Sequence, residues 1–306
     1  MKLTDTIKKE YEHVEKKEVH TLTVPKTQNV DTLLDLYTEM QQDTLFNTTK
    51  SRIFAGEYDT DEAYNYIEEQ IKHRVINKKL SYTSEDITSF SFQVTRIKSK
   101  HTISQLGLFL SSLVNENFRR KKIESPYLIY TRDEKNNSDP FLLHVDFLGY
   151  KNNGANVLIF GTIGNGLCTR MSKGIVTVEG TCKDGFSETP FICSEMRGGS
   201  FTINGDVFAS CGYLMKGGSI TINGEVKKKH TLLPSRQTSF GALDAIIDSR
   251  IGFMMQDGII HVQKYCGTEL GTEMTGGKIF IEEGDCTISA RKKGGEIYYK
   301  GVLQEK

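Results

Sequence analysis

The sequence predicts an α+β unit over residues 1–149 followed by a parallel β-helix over residues 150–306, and three observations carry that expectation. Glycine is scarce and helical periodicity frequent up to about Gly149. Beyond it glycines crowd in and the chain alternates like a strand. The stretch "MRGGSFTING" at Met196–Gly205 also returns as "MKGGSITING" at Met215–Gly224. Such a pair is either a glycine-rich cradle for a phosphate or cofactor, or one unit of a stack built on copies of itself.

Composition bounds the reading before any element is placed. A chain of 306 residues has ample material for a packed core, and its 39 basic and 39 acidic side chains cancel. No global field draws it to nucleic acid or to an anionic membrane. The first residues, "MKLTDTIKKEYEHVEKKE", lack the apolar run of a signal peptide, and no apolar stretch approaches the ~20 residues of a membrane span. The expectation is a cytoplasmic protein with no membrane partner.

In the first unit, "NVDTLLDLYTEMQQDTLF" places Val30, Leu33, Leu34, Tyr37, Met40 and Leu45 on one helical stripe, with Asn29 or Asp31 as its cap. "DTDEAYNYIEEQIKHRV" repeats the device with Ala63, Tyr66, Ile67, Gln70, Ile71 and Arg74, and its acidic first turn suits the helix dipole. "TISQLGLFLSSLVNENF" offers Thr102 and Gln105 as a capping box and Ile103, Leu106, Leu110, Leu113 and Val114 as the buried face. Strands are expected at Glu18–Val24, Ser89–Ile97, Tyr127–Thr131 and Phe141–Leu148.

In the second unit the repeat aligns on Ala155, Gly174, Gly199, Gly218, Gly258, Gly277 and Gly295, mostly 18 or 19 residues apart. Two residues after each point stand Val157, Val176, Phe201, Ile220, Ile260, Ile279 and Ile297; four after stand Ile159, Val178, Ile203, Ile222, Val262, Ile281 and Tyr299. Alternation after a glycine turn is a short strand, and one short strand at a fixed step predicts about seven rungs of ~19 residues stacked ~4.8 Å apart. Each inward aliphatic contributes roughly 1.5 to 3 kcal/mol of burial. Three residues before the points lie Met171, Met196, Met215, Met255 and Met274, a column that fills a corner.

The cysteines follow the same register. Cys168 and Cys193 replace small residues six before their points, while Cys182, Cys266 and, after a one-residue slip, Cys286 join the apolar column of Ile163, Val207 and Val226. Cys168 and Cys193 are expected on adjacent rungs, where a bridge is the alternative to two free core thiols. Two insertions interrupt the step, one around "KDGFSETP" and a longer one at about 227–250. Insertions of this kind leave a stack as loops on one face, often the binding face.

The recurring "MxGGxIxIxG", preceded by turns such as "GTIGNG" and "CGTELGTEMTGG", resembles the GXGXG repeat shared by the glutamate synthase C-terminal domain and one of the subunits of formylmethanofuran dehydrogenase. The resemblance covers about residues 152–301. It implies a right-handed parallel β-helix that supports neighbouring catalytic domains or subunits and carries no catalytic residue of its own. Lys264, Glu283 and Lys292 depart from the pattern, which implies a rearranged turn and a tapering end.

No constellation for chemistry emerges. The glycines lead into strands rather than a helix N-terminus, so they do not make a phosphate loop. Cysteines and histidines lack metal-site spacing, and His144 with Asp146 reads as part of a strand. No catalytic residue, metal or cofactor is expected. The expectation is a non-catalytic scaffold docking another macromolecule or a second copy of itself. The alternatives are a subunit of an oxidoreductase complex, as the resemblance implies, and an RNA- or ribosome-associated protein. The candidate interaction surface is Arg119, Arg120, Lys121 and Lys122, together with Lys227, Lys228, Lys229, His230, Arg236 and Phe240 in the longer insertion.

Overall fold

A computed structural model describes residues 27–42, 60–77, 80–94, 103–131 except 123, 145–182, 191–227 except 209, and 250–304 except 266 and 268. Its helices are α1 (Gln28–Gln42), α2 (Thr60–Ile76), α3 (Ser84–Val94) and α4 (Ile103–Lys121). Three of them cover the helical stripes expected from periodicity. Val30, Leu33, Tyr37 and Met40 of α1, Ala63, Ile67 and Ile71 of α2, and Leu106, Leu110, Leu113 and Val114 of α4 are buried. The cap of α1 is neither Asn29 nor Asp31. Thr27 takes that place, its hydroxyl accepting the Val30 N–H at 3.3 Å, while Asn29 donates to Asp86 of α3 at 3.0 Å.

Residues 95–97 of the strand expected at Ser89–Ile97 lie outside the described residues, and Ser89–Val94 is instead the end of α3. Thr83 and Asp86 form a reciprocal capping box there: the Thr83 N–H donates to the Asp86 carboxylate at 2.9 Å and the Asp86 N–H to the Thr83 hydroxyl at 3.1 Å. Ile87, Phe90 and Val94 then fall on one helical face and are buried. Phe141–His144 lie outside the described residues. Asp146–Leu148 do not continue a strand, and Val145 makes only an isolated bridge to Ile163. Glu18–Val24, Leu45 and Thr102 also lie outside the described residues.

The strands are β1 (Tyr127–Tyr130), β2 (Asn153–Phe160), β3 (Lys173–Glu179), β4 (Phe191–Ile192), β5 (Arg197–Ile203), β6 (Ser210–Cys211), β7 (Lys216–Val226), β8 (Asp257–Tyr265), β9 (Lys278–Gly284), β10 (Glu296–Tyr299) and β11 (Val302–Leu303). Nine of them form one sheet in the order β1-β2-β3-β5-β7-β8-β9-β10-β11, parallel except for the last pair. Its pairing register joins Val157, Val176, Phe201, Ile220, Ile260, Ile279 and Ile297 in one row and Ile159, Val178, Ile203, Ile222, Val262, Ile281 and Tyr299 in another. Both rows face the core, with Tyr299 partly exposed.

The fold class expected from the sequence is corrected by this architecture. The described residues make a mixed α/β fold, one nine-stranded and mostly parallel sheet with four helices, and not an α+β domain joined to a closed right-handed β-helix. Only one side of the repeat is a continuous sheet. The chain between its strands carries a two-stranded sheet, β4 with β6, and single-residue bridges such as Val145–Ile163–Cys182–Val207–Val226. The cause lies in the backbone: Cys168 and Arg170, Cys193 and Glu195, and Gly212 and Leu214 all have positive φ. A left-handed residue at every second position breaks an extended strand.

The helices pack on the start of the sheet. β1 heads it, pairing with β2 in register, and α3 and α4 lie against β1 and β2. Gly107 lets α4 press onto the turn before β2, for a side chain there would collide with the Asp146 carbonyl. One hydrophobic core therefore runs from α1 through the whole sheet. Among the described residues no helix is long and apolar enough to cross a membrane.

Candidate interaction surface

The basic segment Arg119–Lys122 ends α4, where cations complement the helix dipole. Arg119 is held by Glu116 at 2.6 Å, Lys121 donates to the Tyr82 carbonyl at 3.0 Å, and Lys122 lies over the Phe118 ring at 5.1 Å. Arg120 is exposed. The Phe118 ring packs against Gly154 at the beginning of β2, which puts this segment beside the strand starts.

Lys227 follows the last residue of β7, whose first residue is Lys216. The eleven residues of that strand lie between the two ends. Arg119–Lys122 and Lys227 thus stand at opposite strand ends and do not form one patch. Lys227 is committed to Asp206 at 2.5 Å and lies over Phe208. Burial opposes ionisation of Asp206, but Lys227, the Glu225 N–H and Lys264 together hold its carboxyl below the usual range. Lys228, Lys229, His230, Arg236 and Phe240 lie outside the described residues.

Among the described residues stands an ionic cluster that was not legible as a motif. Asp61, in the first turn of α2, pairs with Lys151 at 2.5 Å and with Arg170, accepts the Tyr150 hydroxyl at 2.8 Å, and through Arg170 reaches Glu195 at 3.2 Å. Lys151, Arg170 and Glu195 occupy the same position, four residues before Ala155, Gly174 and Gly199, and share a left-handed backbone. Their only sequence signal is that fixed offset. The network fastens α2 onto the turns, and its charges are spent on one another.

The described cysteines are mostly packed away. Cys168, Cys182, Cys193 and Cys211 are buried and Cys286 partly so, and all five are free thiols, so Cys168 and Cys193 are not bridged. Burial pushes the Cys193 thiol up, and the neighbouring Cys168 and Cys211 thiols add to the effect. Among the described residues no group of three or more histidine, cysteine or acidic side chains is arranged to hold a metal ion. His261 stacks on Phe280 at 4.4 Å, and Asp146 accepts the Asn165 N–H at 2.7 Å as a turn bond.

Amide groups in the turns are equally committed. Cys168, Cys193, Gly212, Gly252 and Gly271 donate to the carbonyls of Leu148, Leu167, Ile192, Cys211 and Ile251 in the preceding repeat, at 2.7–3.0 Å. Alternating left-handed residues can make an anion nest. Here those donors tie one repeat to the next instead. A cavity of about 10 Å³ between α4, β1 and β2 has room for one water and no ligand. No family model, curated protein or solved structure matches the chain.

Proposed function

We propose that the chain is a non-catalytic docking protein that presents the outer side of its repeats to another macromolecule or to a second copy of itself. The observation that carries this reading is the division of labour within each repeat. Inward positions are consumed by packing: the five methionines Met171, Met196, Met215, Met255 and Met274 and both aliphatic rows lie in the core. Outward positions recur at a fixed spacing on a sheet tied together by backbone bonds at every step. Such a surface offers a partner rows of side chains with little ordering cost on binding. The resemblance to repeats that support neighbouring catalytic domains points the same way.

The test is native mass spectrometry of the protein isolated from its source cells. The expected result is an assembly heavier than the single chain. A lone monomer at working concentration overturns the reading.

A further inference from the structure

We infer that a ridge of exposed cations along the starts of β2, β3, β5 and β7 is the docking surface, and that its occupant is an extended acidic segment of a partner protein. This inference rests on the docking reading and gives it a place and a chemistry.

The ridge is assembled from residues far apart in the sequence. Lys122 covers Phe118, whose ring packs on Gly154 at the start of β2. Lys173 opens β3, Arg197 opens β5 and Lys216 opens β7, and all four cations are exposed. These strands are consecutive neighbours in the sheet, so their starts lie about 4.8 Å apart and span about 14 Å. Among the described residues none of the four has an ion-pair partner.

Elsewhere on the sheet, cations on one repeat meet anions on the next. Lys278 pairs with Glu296 at 2.8 Å, Lys264 with Glu225 at 3.4 Å and Arg170 with Glu195 at 3.2 Å. On the ridge no such pair forms: Lys173 stands opposite Asn153 and Arg197 opposite Gly217, and the cations stay exposed. A bound anion supplies the countercharge that the neighbouring repeats do not.

The floor of the ridge is glycine. Lys173 lies beside Gly199 of the next repeat, Ser172 beside Gly198, and Arg197 stands opposite Gly217. These glycines are partly exposed, so a ligand reaches the backbone without meeting a side chain. The next repeat shows what fits there. Asp257 stands opposite Lys216, in the place that Gly198 and Gly217 hold in their repeats, and its carboxylate accepts the Gly258 N–H at 2.7 Å. The chain's own carboxylate thus stands beside Lys216 at one end of the ridge, where the two preceding repeats have glycine.

Carboxylates suit the ridge better than a nucleic acid. Single-stranded nucleic acids are gripped by bases stacked on exposed rings. The ring on this line, Phe118, is sandwiched between Lys122 and Gly154. A peptide of about five extended residues spans the ridge.

Fluorescence anisotropy of the full chain with a labelled octaglutamate peptide tests the inference, with labelled octauridylate and a neutral glycine–serine octapeptide as comparison probes. Octaglutamate is expected to bind, more weakly at about 300 mM than at about 50 mM salt. The double reversal Arg197→Glu/Lys216→Glu is expected to weaken it by about tenfold or more. The control Lys264→Glu, at the far strand ends, leaves it unchanged, and equal thermal midpoints show that both variants are folded. The inference is overturned by no octaglutamate binding at low salt, by full binding to the double variant, or by tighter octauridylate binding that the same reversal abolishes. A native partner that stays bound to the double variant removes the ridge and leaves the docking reading standing. A monomeric native protein whose ridge still binds octaglutamate does the reverse.

Discussion

Met196 and Gly218 show how one residue of each repeat depends on one of the next. Gly218 has φ +91°, and a Cβ built on it lies 2.8 Å from the Met196 methyl and from the Gly199 carbonyl. The same meeting recurs between Met171 and Gly199, Met215 and Gly258, Met255 and Gly277, and Met274 and Gly295. Methionine bends into the space that glycine leaves. Gly218→Ala is therefore expected to cost about 2 kcal/mol or more, from a strained backbone and an overfilled core. Met196→Ala leaves a cavity and costs about 2 to 5 kcal/mol. In the double variant the missing methyl makes room for the new Cβ, so the combined loss in urea denaturation falls below the sum of the two single losses. Additive losses would show that the two positions do not meet.

At the scale of elements, the junction of α1 and α3 turns on Asp86. Its carboxylate accepts the Thr27 hydroxyl at 2.7 Å, the Asn29 amide at 3.0 Å and the Thr83 N–H and hydroxyl at 2.9 and 3.0 Å. Burial works against the charge, but these donors together hold the carboxyl below its usual range. A lowered folded value means that this stabilisation is complete above the unfolded value of about 4 and fades as pH falls through the folded one. Asp86→Asn should lower stability near neutrality by about 1 kcal/mol. It should also remove this site's share of the loss below about pH 4. Denaturant midpoints measured across that window check both parts, and parallel curves for the two proteins would refute the assignment. Alternation of serine and phenylalanine hid α3 as a strand, because a capping box decides a helix start locally while period-two patterning holds for any short run.

Over the whole molecule, the sheet does not stand apart from the helices. The turn before β2 is held by α4: the Ser111 hydroxyl donates to the Phe147 carbonyl at 3.0 Å and Asn115 donates to the Tyr150 carbonyl at 3.1 Å. β1 covers the edge of β2, whose Ala155, Val157 and Ile159 are buried. A fragment of residues 145–304 is therefore expected to lose roughly 3 kcal/mol or more, since side chains of that size are worth roughly 1.5 to 3 kcal/mol each when covered. In the full chain, near-ultraviolet and far-ultraviolet signals should unfold together. A fragment as stable as the full chain would mean that the two parts fold independently.

The rows of inward side chains were legible because their spacing needs no knowledge of anything distant: a glycine, then apolar residues two and four positions on, fixes strand and register together. The buried stripes of α1, α2 and α4 were legible for the same reason. Long-range contacts were not. Tyr265 pairs with Val226, a partner that spacing alone did not foresee, and Cys266, expected in that column, lies outside the described residues. Left-handed Cys168, Cys193 and Glu195 stop the turns from becoming further strands, and no local pattern marks a non-glycine residue for that backbone.

The candidate surface divides the same way. Contiguous charge marks Arg119–Lys122 and Lys227, which the fold sets at opposite strand ends. Lys173, Arg197 and Lys216 are single cations in the sequence, and they become a line only because parallel pairing brings the starts of successive strands side by side. Periodicity by itself determined which residues of the repeats face inward and that β2, β3, β5, β7, β8, β9 and β10 follow one another in the sheet, since both follow from local alternation repeated at one step. Tertiary structure alone decided where the helices seat, which charges cancel and which cations remain exposed, because each of those depends on residues that only the folded chain brings within reach.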